Sequence, residues 1–264
     1  LGGQINYAVK IPGKQEFYEV LRFYRVMLLK YGVELKLGQT VNHETLVAGN
    51  YDAVVLATGV RPRALELEGA DHPKVLSYLD VLDGECIVGN KVAIIGAGGI
   101  GIDVAHYLTA KTPFSGDVPE YLQGYGILDS EKAMALRKPK NREVTVFQRS
   151  TDKIGKRLGK TTGWAHIQTL KSHGVELFSG ATYLKIDDAG LHVKVALKKG
   201  EEAKEIVMDV DNVIIAAGQE PRLELEDALR EAGLEVHVIG GAKAALGLDA
   251  KTAINDGAEL AARF

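Results

Sequence analysis

One segment of this chain occurs twice. Asp52-Ala53-Val54-Val55-Leu56-Ala57-Thr58-Gly59-Val60-Arg61-Pro62-Arg63 aligns without gaps with Asp211-Asn212-Val213-Ile214-Ile215-Ala216-Ala217-Gly218-Gln219-Glu220-Pro221-Arg222. A shorter echo precedes each copy, Gly32-Val33-Glu34-Leu35 matching Gly174-Val175-Glu176-Leu177, each after a helical segment and each expected to open a strand. Self-similarity of this kind implies two copies of one domain type. In both copies a continuous apolar, β-branched run leads into small residues and a glycine, as a strand buried on both faces of a parallel sheet would. That order places Ala57-Thr58-Gly59 and Ala216-Ala217-Gly218 just past a strand's carboxyl end. Open α/β sheets take ligands there, and a bulky side chain would hold a nucleotide away.

Between the copies, Asn90-Lys91-Val92-Ala93-Ile94-Ile95-Gly96-Ala97-Gly98-Gly99-Ile100-Gly101 is an apolar strand running into Gly-x-Gly-x-x-Gly, and a helix follows from Ile102 to Leu108. A bare glycine pattern is weak, but a strand before it and a helix after it make it a dinucleotide fingerprint. Gly96 makes the tight turn, Gly98 lets backbone approach a pyrophosphate, and Gly101 lets the helix pack close to the strand. Gly99 and Ile100, within the loop, are further cofactor-binding candidates, and the free N–H groups at the N-terminus of the following helix face the phosphate charge.

The next strand, Glu143 to Phe147, ends in Gln148-Arg149, with no carboxylate until Asp152. A carboxylate at this place binds a ribose 2′-hydroxyl, whereas an arginine accommodates a 2′-phosphate. The sequence therefore favours NADPH over NADH, with Arg149 the first candidate and Gln148 and Lys160 beside it. Lys153, Lys156 and Arg157 add basic charge to the same stretch. Residues 111–141, rich in glycine and proline, exceed the usual spacing of the fingerprint and are expected to form an inserted loop with short helices.

The bulk numbers exclude several classes. A net charge of −3 gives no global field toward nucleic acid or anionic lipid. Cys86 is the single cysteine, so the chain by itself cannot build a disulfide framework, a Cys-x-x-Cys pair or an iron–sulfur cluster, and a reducing cytoplasm is expected. No stretch approaches the roughly 20 apolar residues of a membrane span. The seven histidines show no metal-ligand spacing, so no metal site is expected. His106 reads as packed or surface-exposed, and His166 with Trp164 is the one pair placed to approach a nucleotide.

The first copy has no glycine fingerprint of its own. The interval from Gly96 to Gly218, applied backward from Gly59, runs out before residue 1, which puts a first glycine loop upstream. One dinucleotide domain begun, a second inserted and the first resumed is the plan of the glutathione-reductase-like two-nucleotide flavoproteins, which this sequence resembles. The expected fold is α/β, with two Rossmann-like domains of which the first is incomplete and discontinuous. Residues 1–88 and 220–264 would form an FAD-binding domain and residues 89–219 an NADPH-binding domain. The last part fits: Val236 to Ile239 as a strand, Gly240-Gly241-Ala242 as a small-residue turn, and a helix from Asp249 to Ala262 capped by Asp249. In that plan the turn and helix start reach the flavin. Gly241 stands where the wider family often carries an acidic residue.

Across nearly the whole chain the motifs resemble the C-terminal portion of bacterial NADPH-dependent 2,4-dienoyl-CoA reductases of the old-yellow-enzyme-related, multi-cofactor type. The residues that carry the resemblance are Gly2-Gly3-Gln4 with Ile11-Pro12-Gly13-Lys14, His72 to Leu82, Gly159-Lys160-Thr161-Thr162-Gly163-Trp164, and Ala216 to Pro221. The resemblance implies an N-terminal barrel in the same polypeptide with FMN, the acyl-CoA site and a cysteine-bound 4Fe-4S cluster. It implies that this region passes hydride from NADPH to FAD, that Gln4, Ala57, Thr58, Gly59, Gly240, Gly241 and Asp249 face the flavin nucleotide, and that Ala217 and Gly218 face the nicotinamide nucleotide. No catalytic acid or base is expected in this region, since the proton-transfer groups would belong to the barrel. Two alternatives stay open: a trimethylamine-dehydrogenase-like protein in which this region holds ADP structurally, and an electron-donating subunit as in glutamate-synthase-like assemblies. A P-loop at Gly155 to Thr161 is disfavoured because Asp152-Lys153-Ile154 is too short and polar to be the strand that must precede it.

Overall fold

The computed structural model describes residues 1–110, 142–156, 158–159, 161–197 and 200–264. In chain order its elements are α1 (Ile5–Ala8), α2 (Phe17–Lys30), α3 (His43–Ala48), β1 (Val54–Leu56), β2 (Val60–Pro62), β3 (Val75–Ser77), α4 (Tyr78–Asp83), β4 (Lys91–Ile95) and α5 (Gly99–Thr109). There follow β5 (Glu143–Gln148), α6 (Gly163–Ser172), β6 (Glu176–Ser179), β7 (Thr182–Asp187), β8 (Gly190–Val195), β9 (Lys204–Met208), β10 (Asn212–Ile215), β11 (Gln219–Pro221), α7 (Glu226–Glu231), β12 (Val236–Val238), a 3-10 turn (Gly240–Ala242) and α8 (Ala250–Ala261). The expected insertion at 111–141 lies outside the described residues, as do Arg157 and Lys160.

The chain forms two compact units. The first comprises residues 1–6, 16–63 and 218–264, and the second residues 7–15 and 64–217. These divisions fall at 63/64 and 217/218, not at the 88/89 and 219/220 read from the sequence. The reason lies in β3, which pairs in parallel with β10 and so carries residues 64–88 into the sheet of the second unit. Residues 7–15 join that unit too: Ile11 is fully buried in its core, Lys10 Nζ donates to the Leu82 carbonyl, and Lys14 Nζ meets Asp103 Oδ2 at 2.6 Å.

The second unit is built on a five-stranded parallel sheet in the order β3-β10-β4-β5-β6. Val92, Ala93, Ile94 and Ile95 of β4 are all buried, as continuous apolar runs in a parallel sheet require. One face packs on α4, α5 and α6 through Ile94, Ile102, Val104, Val146 and Leu170. The other packs on an antiparallel meander, β7-β8-β9, through Ile95, Phe147, Leu191 and Val193. The start of β4 is fixed by Asp211, whose Oδ2 accepts from the amides of Asn90 and Lys91, and those two bonds hold its carboxyl below the usual range.

The first unit has a smaller core of Val54, Leu56, Leu229 and Val236, where β1 and β12 pair in parallel. Here the two repeat copies meet. Strand β2, from the first copy, pairs antiparallel with β11, from the second. The aligned positions exchange hydrogen bonds: the Arg63 amide donates to the Gly218 carbonyl at 3.1 Å, and the Arg222 amide to the Gly59 carbonyl at 3.0 Å. The repeat thus produces a local two-fold relation between its own halves.

The shorter echo behaves differently in its two copies. Both glycines stop a helix in the left-handed region, Gly32 at φ +65° and Gly174 at φ +80°. The same pair of bonds closes each helix, with the Val33 amide reaching the Leu28 carbonyl and the Val175 amide the Leu170 carbonyl, both at 3.0 Å. Only the second copy then enters a strand. Segment Val33 to Leu35 is not a strand, contrary to the sequence expectation. Glu176 onward has β5 to pair with, whereas among the described residues no strand lies beside Val33 to Leu35, and Val33 and Leu35 are exposed.

Candidate functional site: the glycine loop and the strand ends

Strand β4 delivers the chain into Gly96, at φ +114°, a backbone shape that side chains rarely adopt. A Cβ on Gly96 would stand 2.3 Å from the Ala216 carbonyl oxygen, at the end of the neighbouring strand β10. One on Gly101 would stand 1.8 Å from the Gly96 carbonyl oxygen, so the helix lies as near the strand turn as the fingerprint requires. Gly98 and Gly99 are different. Both are exposed, and a Cβ on either meets nothing within 4 Å among the described residues.

Gly98 is also the N-cap of α5, with no side-chain cap, so the first amides of the helix have no partner within it. An anion set against Gly98 and Gly99 would receive those donors and the positive end of the helix dipole. The loop therefore fits a diphosphate: backbone on the inner side and, among the described residues, open space where side chains would stand and amides without an intrahelical partner along the rim. Ile100, in the first turn of α5, is half-buried against the core.

At the end of β5, Arg149 is exposed and has no carboxylate partner among the described residues. Nearby, the Tyr183 hydroxyl donates to the Phe147 carbonyl at 3.1 Å. Burial raises the Tyr183 phenol well above its usual range, against the opposing charge of Arg149, so it remains a donor. Gln148 points its amide into the turn: Nε2 donates to the carbonyls of Ser150 at 2.9 Å and Asp152 at 2.8 Å. Nothing in the sequence signalled that use of Gln148.

Ala216 and Ala217 follow β10, and Ala217 packs on the meander side of the sheet. Gly218, at φ +114°, is where the chain passes from the second unit to the first. In the first unit Ala57 and Thr58 are exposed past β1, and Gly59 has φ +73° with open space at its Cβ position. Thr58 Oγ1 donates to the Arg222 carbonyl, and Gln4 Oε1 accepts from Gln219 Nε2 at 3.2 Å.

The turn after β12 is tight. Asp256 Oδ2 accepts from the Gly240 amide, while a Cβ on Gly241 would come within 2.9 to 3.2 Å of Leu248, Val60 and Gly59. That crowding is a physical reason for glycine at this position. Asp249 caps α8 as expected, accepting from the Thr252 amide at 2.7 Å. Trp164 is exposed and its indole donates to the Thr161 carbonyl, while His166 lies against His106 instead, with ring centroids 6.2 Å apart. Among the described residues no group of three or more His, Cys, Asp or Glu side chains could hold a metal, and no helix is long and apolar enough to cross a membrane.

A strand, a glycine turn and a helix that opens on unpaired amides define an α/β dinucleotide-binding architecture. The chain belongs to the pyridine nucleotide-disulphide oxidoreductase family, whose model matches residues 11–252. It is a flavin-dependent pyridine nucleotide oxidoreductase domain, and membership implies binding of FAD and NAD(P). The chain is similar to a metal reductase of Desulforamulus reducens, 27% identical over 246 residues that cover 91% of this chain and 36% of the relative. It is also similar to an NADH oxidase of Thermoanaerobacter brockii, 27% identical over 92% of this chain and 33% of the relative. Among solved structures, a 2-naphthoyl-CoA reductase in complex with 2-naphthoyl-CoA superposes with a TM-score of 0.80 at 25% identity, covering 100% of this chain and 34% of that one. The chain thus spans about a third of the length of these relatives. Despite the family's name, Cys86 is the single cysteine, so no cysteine pair exists within this chain.

Proposed function

We propose that this chain takes electrons from NADPH into FAD, on behalf of a reduction of 2,4-dienoyl-CoA carried out elsewhere in a longer protein. NADPH would lie with its diphosphate on Gly96 to Gly101 and its adenosine 2′-phosphate beside Arg149, with Lys160, Ala217 and Gly218 as further contacts. The first unit would hold the flavin nucleotide, through the loop at Ala57 to Gly59 with Gln4, and through the turn at Gly240 and Gly241 with the Asp249 helix start. When bound, the two cofactors supply hydride donation and acceptance. The protein's part is to orient them, with backbone amides at the phosphates and a guanidinium at the 2′ position.

The observation that carries the reading is the pairing of an open glycine loop at Gly98 and Gly99 with an exposed, carboxylate-free Arg149 at the next strand end. In support of an acyl-CoA substrate, the 2-naphthoyl-CoA reductase superposes over the whole chain. In support of a longer protein, the chain spans about a third of its relatives.

Because one relative is named an NADH oxidase, coenzyme choice is the decisive test. Arg149→Glu replaces a phosphate partner with a like charge. It is expected to weaken NADPH binding by about 100-fold or more and NADH binding by less than about threefold, measured as Kd by titration. Unchanged NADPH affinity refutes the assignment. Anaerobic bleaching of the flavin by NADPH in the full-length protein separates this reading from a structural nucleotide site.

A further inference from the structure

The turn that carries Arg149 is tied together in a way the fingerprint does not require. Gln148 is the last residue of β5, and both hydrogens of its amide are engaged, one toward the Ser150 carbonyl and one toward the Asp152 carbonyl. The Asp152 amide donates to Ser150 Oγ at 3.1 Å. From the neighbouring strand connection, the Gly180 amide donates to the Ser150 carbonyl at 3.0 Å and the Ala181 amide to the Gln148 carbonyl at 2.9 Å. Beneath the turn, Tyr183 holds the Phe147 carbonyl and Phe147 stacks on Phe178 at 5.6 Å. Arg149 is exposed on a turn fixed on both sides and from below.

Glutamine suits this place for a chemical reason. An amide offers two N–H donors and no charge. A glutamate of the same length would set its oxygens against the two carbonyl oxygens, opening the turn, and would add a negative charge beside a phosphate site. A leucine or methionine would fill the space but take the Gln148 donor from the Asp152 carbonyl and leave the Ser150 carbonyl with that of Gly180 alone.

We infer that Gln148 is a positioning residue for coenzyme choice: it touches no nucleotide through its amide nitrogen but clasps the 150–152 turn so that Arg149 stands ready for a 2′-phosphate. This rests on the NADPH reading above. It changes the role expected of Gln148 from direct contact to preorganisation, which spares the arginine the ordering cost on binding.

The test is a double-mutant cycle on the full chain, with Kd for NADP⁺ and for NAD⁺ measured by calorimetry. Gln148→Met should weaken NADP⁺ by about tenfold and NAD⁺ by less than about twofold. In an Arg149→Met background, Gln148→Met should cost no further NADP⁺ affinity, because the clasp acts through the arginine. Gln148→Asn keeps an amide on a shorter stem and should fall between wild type and Gln148→Met; it also provides the reading if the methionine variant fails to fold. Equal losses for both nucleotides, or additive losses in the double variant, overturn the inference by reducing Gln148 to a scaffold residue. Loss of NADP⁺ preference in Arg149→Met with none in Gln148→Met or Gln148→Asn sinks the clasp and leaves the NADPH reading standing. Retained NADP⁺ preference in Arg149→Met removes the NADPH reading itself and the clasp with it.

Discussion

Two glycines three positions apart in the same loop are there for opposite reasons. Gly101 is glycine because backbone occupies the place of its Cβ, the Gly96 carbonyl oxygen standing 1.8 Å away. Gly98 is glycine although nothing among the described residues occupies that place, and its φ of −76° is ordinary. Gly101→Ala should therefore destabilise the fold by on the order of 3 kcal/mol, as overpacking against unyielding backbone does. Gly98→Val should change stability by about 1 kcal/mol or less, since no side-chain cap is lost, yet abolish dinucleotide binding. Thermal unfolding followed by circular dichroism, beside an NADP⁺ titration, checks both. Full binding by a folded Gly98→Val variant would show the loop to be a turn and nothing more. At this scale the glycine spacing was legible from the sequence, because a backbone turn leaves its mark on local residue type. The clasp of Gln148 was not, nor was the ion pair between Lys14 and Asp103: the first depends on which way an amide points, the second joins residues far apart in the chain.

At the scale of elements, helices α5 and α6 meet through three histidines. His106 has its ring centroid 6.0 Å from that of His173 and 6.2 Å from that of His166, and its Nδ1 is buried with no hydrogen-bond partner among the described residues. Burial pushes His106 below its usual pKa, His173 and His166 push it further, Lys14 adds a little, and Asp103 opposes them. A histidine depressed in the folded state stays neutral there while the unfolded chain takes up a proton below about pH 6.5. Stability from this contact is therefore complete above that pH and declines as the solution is acidified. Replacing the ring by His106→Leu should flatten the decline between pH 6.5 and 5 in urea-melt stability; an unaltered slope would place the acid sensitivity elsewhere.

Strands were more legible than their partners. The apolar runs at Val54 to Leu56 and Val213 to Ile215 both became strands, but the Gly32 echo did not. Its residues specify a helix stop, and a strand additionally needs a neighbour that its own residues cannot encode.

For the whole molecule, the two units differ in what holds them. The second has both faces of a five-stranded sheet covered, whereas the first relies on a small cluster around Val54, Leu56, Leu229 and Val236. Local opening follows such differences in burial. Amide hydrogen exchange should be slowest in β4, β5 and β10 and measurably faster in β1 and β12; equal protection across the two sets would mean that the units open as one. The discontinuity of the first unit bears also on how the chain is made. Strand β1 leaves the ribosome before β12, its hydrogen-bonding partner, which follows about 180 residues later, on the order of 10 to 40 s at common elongation rates. All strands of the five-stranded sheet have been translated by Ile215, before β12 exists. The pairing of β1 with β12 must therefore wait, while the five-stranded sheet of the second unit has already had the chance to form.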